Sequence, residues 1–233
     1  MIRLKRNDCQ SEAFNRYKSL ISLIKGGALP TELANEFQRW LKAVEPKSIT
    51  LGTPRGQLDE WKRDRRLAER WYEEYRRVEK GSHAGCPGKG IFLQPQIDEL
   101  KRTRAQGEVH FNEWYAAIQF YKEGYQVLVE KYPCAKYGSF ERAEYALQQY
   151  DGLWTFLKSC WFKWGQPPDL LLYKKAAGKT LVEALFVECK GLRRGRPEPF
   201  TGKKDGKQLV MFPFIVKEWS IPFKIAWVVV TRD

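Results

Sequence analysis

Histidine is scarce: among 233 residues only His83 and His110 occur. A His-metal nuclease or a Ser-His-Asp hydrolase therefore has almost no material to work with. Cysteine is sparse and scattered, at positions 9, 86, 134, 160 and 189, with no CxxC pair and no Cys/His spacing that suits zinc. An odd number of unclustered thiols reads as reduced and buried, as in a cytosolic protein. No run approaches about 18 consecutive apolar residues, so no membrane span is expected. The opening residues, Met-Ile-Arg-Leu-Lys-Arg-Asn-Asp, carry charge but no apolar signal region, so the expected location is cytoplasmic or nucleoid-associated and not secreted. Internal repeats and low-complexity tracts are missing. The glycine-rich Gly85-Cys-Pro-Gly-Lys-Gly90 hints at a phosphate loop, but Gly90 stands where a Ser or Thr would hold Mg²⁺, so a turn is expected.

What is present points to a folded protein with a polyanionic partner. With 43% hydrophobic residues and nine tryptophans the chain can bury a real core, in one large domain or two small ones. Tryptophans on helical faces read first as core, and only second as stacking platforms for bases. The net charge is +13, and its placement matters more than its size. Lys190, Arg193, Arg194, Arg196, Lys203, Lys204 and Lys207 stand within one stretch, against only Glu198 and Asp205. By contrast, residues 55–80 mix nine bases with seven acids, as on a salt-bridge-laced surface helix.

The chain divides near residue 105, into a helical N-terminal region (1–105) and an α/β region (106–233). Apolar spacing predicts helices over Ser11–Lys25, from Thr31 (as N-cap) to before Pro46, over Gln57–Glu79 and over Gln94–Thr103. Gly81 to Gly90 reads as a break. The α/β region opens with a helix at Phe111–Glu123, then a strand at Tyr125–Glu130 and a helix at Phe140–Phe162. Strands follow at 169–173, 181–190 and 225–230, with a helix near 206–219 limited by Pro213.

Two of these strands carry the chemistry. Asp169 opens the apolar run Leu-Leu-Leu-Tyr173 after Gln-Pro-Pro, and Glu188-Cys-Lys190 closes the run Leu185-Phe-Val. Glu188 and Lys190 share strand parity and so project from one sheet face. Paired in adjacent strands, Asp169 and Glu188 can meet around one hard cation, with an ammonium beside them. Acidic-x-Lys also occurs at Glu45, Glu60, Glu99 and Asp205, but none of those ends an apolar strand that follows an Asp-led one.

The order of helix, strand, Pro-Asp strand, Glu-x-Lys strand, helix and strand resembles the PD-(D/E)XK nuclease superfamily. Gln-Pro-Pro-Asp169-Leu-Leu and Val-Glu188-Cys-Lys190-Gly191, with Gln208 downstream, are most similar to the virus-type replication-repair nuclease (VRR-NUC) modules. The resemblance covers about residues 107–233 and departs from the pattern in the long helical stretch between the first two strands. It implies a restriction-endonuclease-like core, a mixed sheet flanked by helices, following the helical N-terminal region. It further implies that Asp169, Glu188 and the Cys189 backbone carbonyl ligate Mg²⁺ or Mn²⁺. Lys190 would orient and help deprotonate the attacking water, or stabilise charge on the phosphate. Glu113 would be the acid of the first core helix, a catalytic group that could hold a second metal or a metal-bound water, with Glu141 and Glu144 competing for that place. Gln208 would contact water or phosphate, and Arg193, Arg194, Arg196, Lys203, Lys204 and Lys207 would contact DNA.

Bland readings stand beside these. Asp169 could cap its strand, Glu188 and Lys190 could form a surface ion pair, and Glu113 could answer its own helix dipole. The function expected is a metal-dependent DNA nuclease of replication, repair or recombination, selective for DNA structure, with a homodimer left open. The alternatives are a sequence-specific restriction endonuclease of the same fold and a non-catalytic nucleic-acid binder.

Overall fold

A computed structural model describes residues 6–24, 30–64, 66–76, 90–102, 110–129, 132, 140–160, 164–175, 182–193, 196–197 and 202–231. The glycine-rich stretch 81–89 and Arg194 lie outside the described residues. In chain order the elements are α1 (Arg6–Ser22), α2 (Thr31–Val44), a 3-10 turn (Glu45–Lys47), β1 (Ile49–Pro54), α3 (Arg55–Asp64), α4 (Arg66–Tyr75) and α5 (Gln94–Arg102). Then come α6 (Phe111–Lys122), β2 (Gln126–Val129), α7 (Phe140–Leu147), α8 (Leu153–Cys160), β3 (Leu170–Lys175), β4 (Val182–Arg193), β5 (Arg196–Pro197), α9 (Gly202–Trp219) and β6 (Phe223–Thr231).

The protein is α/β. Five strands form a mixed sheet in the order β1-β6-β4-β3-β2, and β5 folds back on the end of β4. β2, β3 and β4 make an antiparallel meander, while β6 runs parallel to both β4 and β1. A parallel pair needs a crossover, and α9 supplies it between β4 and β6.

Side-chain alternation along the strands separates two cores. Leu171, Tyr173, Ala184 and Phe186 join Tyr17, Trp40, Phe156, Phe212 and Phe214 under α1, α2, α8 and α9. Leu170, Leu172, Val187 and Cys189 join Trp61, Trp71, Trp114 and Phe120 under α3, α4 and α6. Trp40, Trp61, Trp71, Trp114 and Trp154 are all buried, so these tryptophans are core residues. Cys160 and Cys189 are buried thiols outside any disulfide, and burial pushes the Cys160 thiol up to about 12.

Several expectations are corrected. The N-terminal region is not all helical, because Ile49–Pro54 is an edge strand of the sheet. The expected helix at 57–79 is two helices, α3 and α4. Trp61 and Trp71 explain why: ten residues of straight helix would set them about 15 Å apart, yet their rings meet at 5.5 Å. The expected helix at 140–162 also breaks, between Leu147 and Leu153, where Gly152 takes φ 78. Pro30, not Thr31, holds the N-cap position of α2, with no side-chain cap bond. α9 starts earlier than expected and runs through Pro213. The lost backbone bond is offset by burial of the flanking Phe212, Phe214 and Ile215. Among the described residues no helix is long and apolar enough to cross a membrane.

Candidate active site

β3 and β4 bring the two acids face to face. Their register pairs Leu170 with Val187, so one step further sets Asp169 opposite Glu188. The two are cross-bonded. The Asp169 backbone N–H donates to Glu188 Oε2 at 3.3 Å, and the Cys189 N–H donates to Asp169 Oδ2 at 2.8 Å. Lys190 Nζ stands 3.0 Å from Glu188 Oε1. Asp169, Glu188 and Lys190 share the parity of Leu171, Tyr173 and Phe186, so they project toward the core under α8 and α9.

This is not a surface ion pair. Glu188 is only 1% exposed, and the Lys190 side chain only 16%. Burial, and next the charge of Asp169, push the Glu188 carboxyl well above the ordinary carboxylate range, against the opposing pull of Lys190. Paired hard oxygen donors in an enclosed setting fit Mg²⁺ or Mn²⁺.

The other expected residues are distributed as follows. Among the described residues no third His, Cys, Asp or Glu gathers with the pair into a metal-binding group, so Glu113, Glu141 and Glu144 stand outside it. Glu113 is half-buried in the first turn of α6. That helix start abuts the end of β4: a Cβ on Gly191 would lie 3.0 Å from Asn112 Nδ2. Glu141 and Glu144 are exposed on α7. Gln208 is half-buried on α9, which also carries Lys203, Lys204 and the exposed Lys207. Arg193 ends β4 and pairs with Arg196 of β5, so both lie on a hairpin directly beyond Lys190.

Three further residues support the site without having stood out in the sequence. Tyr17, from α1, donates its hydroxyl to the Trp164 carbonyl at 2.8 Å and approaches the Lys207 carbonyl at 3.4 Å. It thereby ties α1 to α9 and to the segment that leads into Asp169. Burial raises the Tyr17 phenol far above its usual range, so it remains a donor. Gly165 fits between Tyr17 and Met211, where a side chain has no room. Tyr132, after β2, is fully buried beside the acids. An aromatic at helical spacing marked Tyr17 as core, but nothing local in the sequence marks Tyr132.

Compared with protein-family models, curated proteins and solved structures, the chain matches none.

Proposed function

We propose that the protein is a Mg²⁺- or Mn²⁺-dependent deoxyribonuclease on a restriction-endonuclease-like core, acting on DNA in replication, repair or recombination. The observation that carries this reading is the buried acid pair, Asp169 opposite Glu188, with Lys190 3.0 Å from Glu188. Clustering two acids in a basic protein costs stability and repels phosphate, which a pure nucleic-acid binder has no reason to retain. The antiparallel meander β2-β3-β4, followed by α9 and a parallel β6, agrees with the expected core order.

In this reading Asp169, Glu188 and the Cys189 carbonyl hold the cation. Bound there, it supplies positive charge against the developing charge of the phosphodiester and acidifies water. Lys190 turns its ammonium from Glu188 toward the reacting phosphate and orients the attacking water, which displaces the leaving oxygen in line and gives a 5′-phosphate and a 3′-hydroxyl. Gln208, half-buried on α9, contacts water or phosphate. Arg193, Arg194, Arg196, Lys203, Lys204 and Lys207 neutralise the DNA backbone.

The test is a panel of labelled single-stranded, duplex, flapped and branched DNA, incubated with Mg²⁺ or EDTA. Wild type should cut at least one substrate only with the cation. Asp169→Asn and Glu188→Gln should each abolish cutting while keeping the circular dichroism spectrum. Lys190→Ala should slow turnover by about two orders of magnitude. Wild-type rates in both acid variants would overturn the assignment.

A further inference from the structure

Pro213 interrupts the hydrogen-bond ladder of α9 at a place that faces a cavity. Proline has no N–H, so the Leu209 carbonyl, four residues back, has no regular helical donor. Helical carbonyls point along the axis toward the residue four further on, so Leu209 and Pro213 are the two ends of the missing bond. Both line a cavity of about 390 Å³ between α1, α2 and α9. The rest of its wall is largely apolar, with Leu20 from α1, Leu33 from α2 and Phe214 from α9. At its rim, where Arg16 and Lys217 are exposed, α9 reaches both neighbours. Glu218 pairs with Arg16 of α1, and Lys217 pairs with Glu36 of α2 at 3.2 Å. These two acids and two bases leave the rim without net charge to draw a charged ligand.

We propose that this cavity binds a small, neutral, largely apolar molecule with one hydrogen-bond donor, which the Leu209 carbonyl accepts. The inference does not depend on the nuclease reading, since none of these residues belongs to the acid site. At about 390 Å³ the cavity lies near the lower end of small-molecule pockets, about 300–1,000 Å³, so the ligand is of one or two rings. Leu33, Leu209 and Phe214 are buried, so the wall is packed before anything binds. A carbonyl left without a donor in an apolar wall is costly, and a bound N–H or O–H recovers that cost. A charged donor is disfavoured, because the apolar wall offers nothing to replace its hydration. A partner's helix laid in the groove would have to displace both rim ion pairs, whereas a small molecule need not.

Indole and 1-methylindole, titrated into the full-length protein by calorimetry, test this, because methylation removes the N–H. Wild type should bind indole about fivefold more tightly than 1-methylindole, the scale of one neutral hydrogen bond. Pro213→Ala supplies the missing backbone N–H, so the Leu209 carbonyl is taken up within α9 and the preference should vanish. A preference caused only by the bulk of the added methyl would survive in Pro213→Ala, and that result would overturn the role of the carbonyl. Leu20→Trp, at a half-buried position on the wall, fills the cavity and should abolish binding of both probes, whether or not Pro213→Ala folds. Wild type that binds no indole, or Leu20→Trp that binds it as wild type does, would overturn the site. A dimer in sedimentation that Leu20→Trp disperses would then assign the cavity to a second copy.

Discussion

Gly165→Ala should damage the protein at a place where no charge changes. A methyl built on Gly165 would lie 2.7 Å from Met211 Sδ and 2.8 Å from the Tyr17 hydroxyl oxygen, closer than carbon atoms in folded proteins tolerate. Neither neighbour has space to retreat, since both are fully buried. Tyr17 is further held by its bond to the Trp164 carbonyl and by edge contact with Phe156, ring centroids 5.3 Å apart. Overpacking of this kind costs about 1–3 kcal/mol. For a chain of this size each kcal/mol lowers the melting temperature by about 2–4 °C. Asp169 is only four residues further on, so the displaced segment also moves a carboxylate away from Glu188, and cleavage should fall with stability. The assay is thermal unfolding of Gly165→Ala, Met211→Ala and the double variant. Met211→Ala alone opens a cavity and costs about 2–5 kcal/mol. In the double variant the new methyl occupies part of that cavity, so the two losses should sum to less than the separate costs by at least about 0.5 kcal/mol. Strict additivity, or a Gly165→Ala protein that melts with wild type, would refute the steric argument.

Two other perturbations address the acids. In cleavage assays Glu113→Gln and Glu144→Gln should both stay close to the wild-type rate, because α6 packs on the sheet face opposite the acid pair and Glu144 is exposed; a loss of about tenfold or more in either variant would bring that acid into the site. Glu188 should also set a pH dependence in the cation-free protein. Its folded pKa is raised above 4.5, so the folded state binds this proton more tightly than the unfolded chain does. That contribution is fully present below the unfolded value and is lost as pH rises through the folded one. With EDTA, wild type should therefore lose stability relative to Glu188→Gln as pH climbs from 4.5, and parallel melting profiles would contradict the assignment.

The acid pair was legible from sequence because it depends on two local facts: an Asp heading one apolar strand, and a Glu and Lys of equal parity closing the next. Strand pairing supplied the rest, with Asp169 one register step past Leu170. Tyr132 was not legible, because its relation to Glu188 exists only through a ring packed across the sheet face on Phe186. β1 was hidden for a different reason. Ile-Thr-Leu-Gly-Thr-Pro is short, contains Gly52 and Pro54, and lies among strong helical patterns, so only its parallel pairing with β6 reveals it. The breaks between α3 and α4 and between α7 and α8 follow from tertiary packing and from one left-handed glycine, neither of which disturbs helical periodicity.

The place of β6 has a consequence for how the chain reaches its fold. β6 lies between β1 and β4, and β1 pairs Ile49 with Ala226 through to Pro54 with Thr231. During synthesis β1 therefore leaves the ribosome long before its partner strand β6 exists, and closing this contact carries the entropy of a very long loop. β3 and β4 are close in sequence and can pair first, whereas the edge made by β1 must come late. Until then the hydrophobic surface that β6 will cover stays open. Late completion of the sheet, sensitive to truncation within residues 223–231, follows from this threading and not from any weakness in the core.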